Sequence, residues 1–61
     1  MKKHVADYLR VAIAYYNEAQ TDKSKHLTFE EVKNQIADIK DENCVIDTAE
    51  DIHAMTKELT N

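Results

Sequence analysis

From Val5 onward, apolar residues recur at Leu9, Ala12, Tyr16 and Ala19, in steps of four, three, four and three. That spacing keeps all five on one stripe of an α-helix and scatters them over both faces of a strand, so the opening third of the chain is committed to helix. Tyr8 and Ile13 widen the stripe, while Lys3, Asp7, Arg10 and Asn17 fall opposite. The spacing predicts a first helix over about residues 3–20. A polar run, Thr21 to His26, follows as a loop.

Two further helix starts are written in side-chain chemistry. Thr28 with Glu31 forms a capping box, in which each side chain reaches the other residue's orphan backbone N–H, and Leu27 and Val32 occupy the staple positions around it. Glu30 and Glu31 also place negative charge at the positive end of the helix dipole. Phe29, Val32, Ile36 and Ile39 carry the second helix to about residue 40. Asp41-Glu42-Asn43 then reads as a polar break before Cys44-Val45-Ile46. Asp47 is an N-cap candidate with Glu50 as its box partner, and Ile52, Met55 and Leu59 extend a third helix over about residues 48–59. Asp22 to Glu31 and Asp41 to Glu50 therefore echo one another as loop, staple, cap and capping glutamate.

The expected fold is all-α: a small three-helix bundle in one domain, residues 1–61, with a long N-terminal helix packed on two shorter ones. Its expected core is Val5, Leu9, Ala12, Ile13, Tyr16, Leu27, Phe29, Val32, Ile36, Ile39, Ile46, Ile52, Met55 and Leu59. A chain of 61 residues buries only about 60% of the surface that its unfolded form exposes, so stability should be marginal.

Composition removes several functions. With no glycine there is no phosphate-cradling loop and no nucleotide fingerprint, because both need backbone that approaches a ligand closely. Each half of the echo resembles the end of an EF-hand loop. Such a loop runs to about twelve residues with a glycine at its sharp turn, and neither ten-residue stretch supplies that. His4, His26, His53 and Cys44 lie in four different segments without metal-ligand spacing. Glu50-x-x-His53 matches the pair used in di-iron bundles, but the wheel puts Glu50 opposite the apolar stripe and His53 at its edge, as a surface histidine. Cys44 sits among Asp41, Glu42 and Asp47, the opposite of the electropositive setting a reactive thiolate needs. No catalytic residue, cofactor or metal is expected, and the chain reads as a non-enzyme.

Cys44 alone can form no internal disulfide, which fits a reducing, cytoplasmic setting. The start, Met1-Lys2-Lys3, opens like a signal peptide, yet Asp7 and Arg10 interrupt the apolar stretch that would have to follow. The longest apolar run, Val11 to Tyr16, is far short of the ~20 residues that span a bilayer, so no membrane association is expected.

Charge and surplus apolar area point to a protein partner. Residues 1–27 hold five basic and three acidic side chains, and residues 28–61 hold three basic and nine acidic. The second half is thus acidic enough to steer onto a basic surface, such as that of a nucleic-acid-handling protein, or to mimic phosphates. On the first helix Val11 and Tyr15 extend beyond the main stripe beside His4 and Tyr8, with Ala14 on the outer face. This is more apolar surface than two short helices cover, and tyrosine suits interfaces by joining apolar area to a hydrogen-bonding tip. The expected function is a non-enzymatic protein-binding module, a small acidic inhibitor or adaptor of a larger protein. Its contact residues are expected to be Tyr8, Val11 and Tyr15, with Glu42, Glu50, Asp51 and Glu58 as the acidic surface. Small acidic helical proteins of this kind are frequent in phages and other mobile elements, which is a base rate and not a property of these residues. A homodimer through the first helix is a second use of the same surface. The alternative is a small dimeric helical DNA-binding regulator. Direct nucleic-acid binding is disfavoured, since a recognition helix exposing Glu50, Asp51 and Glu58 repels a duplex.

Overall fold

In the computed structural model, residues 2–36 and 42–60 are described. They form three α-helices and no strand: α1, Lys3–Ala19; α2, Phe29–Gln35; and α3, Glu42–Thr60, with a 3-10 turn at Lys23–Lys25. α1 packs against α3 and α2, giving the all-α three-helix bundle that the periodicity implies. At 1.5 Å per residue α3 is about 28 Å long, most of the molecule's 32 Å long dimension. None of these helices is long and apolar enough to cross a membrane.

The core is one cluster: Val5, Leu9, Ala12 and Ile13 from α1, Val32 from α2, and Val45, Ala49 and Ile52 from α3. Tyr16, Leu27, Phe29, Ile36 and Ile46 pack around it, half-buried. Leu9, Ala12 and Ala49 are wholly sequestered from solvent. Alanine on both long helices lets the two backbones approach closely, since the interaxial distance is set by the side chains at the contact.

α1 ends without glycine. Gln20 turns to extended backbone, and its N–H still bonds the Tyr16 carbonyl. The chain then turns on Asp22, whose carboxylate accepts from the Ser24 N–H at 3.0 Å and the Ser24 hydroxyl at 2.7 Å. Those two bonds, side chain first, hold the Asp22 carboxyl below its ordinary pKa. Asn17 pins the returning strand of chain: its Nδ2 donates to the Leu27 carbonyl at 2.7 Å, and its Oδ1 accepts from the Leu27 N–H at 2.8 Å. One amide side chain thus stands in for a peptide unit and satisfies both backbone groups of Leu27. α2 opens on the Thr28 half of the expected capping box, with Thr28 Oγ1 accepting from the Glu31 N–H at 3.2 Å.

The helix boundaries differ from expectation at two places. α2 stops at Gln35, where Ile36 leaves helical geometry while its N–H still reaches the Val32 carbonyl. The remainder of the expected second helix, 37–40, with Ile39 of the expected core, lies outside the described residues. α3 begins at Glu42 and not after Asp47, and with 19 residues it is longer than the 17 of α1. The arrangement is therefore two long helices and a short one, where a long first helix on two shorter ones was expected. The reason is packing. Val45, Ala49 and Ile52 form a stripe spaced four and three that is buried on α1, and burial of that stripe outweighs the capping preference of an exposed Asp47. Cys44 consequently lies in the helix, half-buried, and not in a loop. Its carbonyl accepts the Thr48 hydroxyl at 2.8 Å. The second half of the cap echo is thus helix interior. Met55 and Leu59 leave the expected core, at 42% and 41% exposure. Met55 sits about 90° round from the buried stripe, and Leu59 falls in the last turn of α3.

Candidate functional site: the tyrosine edge of α1

α1 has two shoulders beside its buried stripe. One is closed. The Arg10 guanidinium lies 4.4 Å from the Phe29 ring centroid, a cation–π contact, and also bonds Asp7 at 3.4 Å. Asn17 and its Leu27 hydrogen bonds complete that side.

The other shoulder is open. Tyr8, Val11 and Tyr15 stand along it at 36%, 47% and 56% exposure. Steps of three and four residues put the three side chains in a row, one turn apart. His53 of α3, half-buried, rises against this row: its ring stacks on Tyr8 at 5.5 Å and 29°, and tilts against Tyr15 at 6.2 Å and 45°. These separations lie in the range in which aromatic rings attract beyond their area burial. Beside the row, Tyr8, Glu50, His53, Ala54 and Lys57 line a surface groove of about 430 Å³.

The expected contact residues divide accordingly. Tyr8, Val11 and Tyr15 are exposed together, and Glu50 shares the groove with Tyr8. Asp51 and Glu58 are exposed on α3 about a quarter-turn further round, outside the groove lining, where they charge the adjacent helix face. The side chain of Glu42 lies outside the described residues. His53 is the member that sequence reasoning passed over. Its position at the edge of the α3 stripe was legible; its pairing with two tyrosines depends on how α3 is rotated against α1.

Another histidine, His26, is occupied by local structure. The His26 ring bonds the Gln20 carbonyl at 2.8 Å, closing the loop that follows α1. Among the described residues no three histidine, cysteine, aspartate or glutamate side chains converge as a metal site would require. The chemistry of the edge is therefore that of a contact surface: aromatic area, hydroxyl tips, one imidazole and a flanking carboxylate. Comparison with protein-family models, with curated proteins and with solved structures finds no match.

Proposed function

We propose that this chain is a non-enzymatic protein-binding module, a small acidic inhibitor or adaptor of a larger protein, working in the cytoplasm through the Tyr8–Val11–Tyr15 edge. The observation that carries this reading is the His53 stack. It holds the tyrosine rings in place while leaving about a third of Tyr8 and more than half of Tyr15 exposed, and preorganised aromatic area lowers the entropy cost of docking. The exposed acids Asp47, Glu50, Asp51 and Glu58 on α3 outnumber the single Lys57. They favour a basic partner surface and speed its encounter. The DNA-binding alternative would draw its phosphate contacts from Lys2, Lys3, Arg10, Lys23 and Lys25, and the engagement of Arg10 with Phe29 and Asp7 weighs against it.

The test is affinity capture from nuclease-treated lysate of the source cell, comparing the native chain with Tyr15→Ala. One protein should be retained by the native chain and lost by the variant, with helicity by circular dichroism unchanged. Equal capture by both would overturn the role of this edge. Recovery of nucleic acid alone, and only without nuclease, would move the assignment to the DNA-binding alternative.

A further inference from the structure

The brace of the open edge is an imidazole, the side chain that in the ordinary course gains a proton between about pH 8 and pH 5. A neutral imidazole against a tyrosine is a pair of aromatic rings, held by dispersion and ring quadrupoles. An imidazolium in the same place is a cation against the electron-rich face of a phenol. That attraction is felt within about 6 Å of the ring centroid. The centroids of His53 and Tyr8 are 5.5 Å apart and their planes 29° from parallel, inside this limit. Tyr15, at 6.2 Å and 45°, falls just outside it. Tyr8 is therefore the ring that feels the charge.

The other charges around His53 neither supply this effect nor cancel it. On α3, Glu50 and Lys57 lie three residues before it and four after, both exposed and both lining the groove that His53 and Tyr8 share. Their signs are opposite, so with a neutral imidazole the groove lining carries no net charge. From α1, the two tyrosines face His53 as uncharged rings. The ionisable groups nearest along their row are His4, one turn before Tyr8, and Glu18, one turn after Tyr15, both exposed. A protonated His4 opposes a charge on His53 and Glu18 favours it, and water and salt screen exposed groups at such separations. Asp7 and Arg10 bond each other at 3.4 Å, with Arg10 over Phe29 on the closed shoulder. The contact of the half-buried His53 ring with Tyr8 is screened less.

We propose that His53 is a proton-operated clamp on the tyrosine edge: taking up a proton turns its stack on Tyr8 into a cation–π pair, which tightens the row and gives the groove a net positive charge. Only the charge of the ring changes, so the device needs no rearrangement of the bundle. The direction of the effect follows. A folded chain that favours the charged imidazole gains stability on the acid side of the histidine range and loses it as pH rises through that range. The clamp goes beyond the protein-binding reading and stands without it, since both of its members belong to this chain.

The experiment is a double-mutant cycle on the full chain, His53→Gln against Tyr8→Leu, followed by urea unfolding at pH 5 and at pH 8. All four chains carry His4→Gln, which removes the other histidine of the row, and all keep His26 in its loop. The coupling is the factor by which the two changes fail to multiply in the unfolding constant. It should be about two- to fivefold larger at pH 5 than at pH 8, the worth of a partly exposed cation–π pair. Tyr8 is 36% exposed and leucine keeps apolar bulk there, so the variants should retain the helicity of the native chain. A coupling that is equal at the two pH values, or larger at pH 8, would overturn the proposal. Proton NMR of the native chain gives a second reading that depends on no variant. Between pH 8 and pH 5 the Tyr8 ring resonances should move together with those of the His53 imidazole, and further than those of Tyr15. Tyr8 resonances indifferent to the His53 titration would overturn the clamp as well. If the coupling ignores pH while Tyr15→Ala still loses a captured protein, the clamp alone has failed. If the coupling grows as described and nothing is captured, only the inhibitor or adaptor reading has failed.

Discussion

The two shoulders of α1 solve the same problem in opposite ways. On one, a polar hook (Asn17) and a cation (Arg10) draw the returning chain down, so that Leu27 and Phe29 are covered by their own molecule. On the other, two tyrosines and a valine are braced by His53 and left partly in water. The covered shoulder is held by directional bonds to backbone; the open one offers area without fixed hydrogen-bond partners among the described residues. A side that uses its polar groups on its own loop is finished, whereas one that keeps aromatic surface braced and unbonded is prepared for something else.

Substitutions can break this contrast in order of size. The largest effect is expected at Leu9, which has no exposed surface and supports both shoulders. Leu9→Ala should cost about 2–5 kcal/mol, enough to unfold most of a domain this small, as a thermal melt would show. Next comes Asn17→Ala, which strips Leu27 of both backbone partners in a part-buried setting. It should cost about 1–3 kcal/mol, and amide exchange should accelerate at Leu27 and His26 while the α3 amides keep their order. If the loop amides exchange no faster, the hook is not what closes that shoulder.

Tyr15→Ala, by contrast, should change stability by no more than about 0.5 kcal/mol, as befits an exposed position. A large loss in its melting temperature would mean that the open edge is structural and not prepared for a partner. The smallest effect belongs to Asp22, whose depressed pKa follows from its bonds to Ser24. A depressed carboxyl contributes stability that is complete above the ordinary aspartate pKa and is lost as pH falls through the lowered value. Ser24→Ala, which removes the hydroxyl bond and keeps the backbone one, should therefore lower stability slightly at neutral pH and converge with the native chain in acid, flattening the acid limb of the stability profile.

Much of this was legible in the residues. α1 followed from its periodicity, and the α2 start from Thr28 and Glu31, because both signals are local. The α3 start was misplaced because Asp47, Glu50 and Ile46 satisfy the grammar of a helix beginning. In a chain lacking glycine and proline, nothing between Asn43 and Asp47 forbids the helix from running through them. That choice left Val45 and Ala49 out of the expected core, while Met55 and Leu59 entered it by continuing the spacing from Ile52. Tyr8, Val11 and Tyr15 could be seen as surplus on the wheel. Their brace could not, since the position of His53 depends on the mutual rotation of two helices distant in sequence, which no window of residues encodes.

The placement of the tyrosines has a spectroscopic consequence. The chain has no tryptophan and three tyrosines, so its near-ultraviolet absorbance and emission come chiefly from Tyr8, Tyr15 and Tyr16. Two of those three stand on the open edge against His53. Signals that in most proteins track the packing of the interior will here track the surface first, and will move when the edge is covered even if no helix has changed. An unfolding curve followed by tyrosine emission and one followed by peptide absorbance therefore watch different places in the molecule, and a gap between them marks where the probes sit before it marks an intermediate.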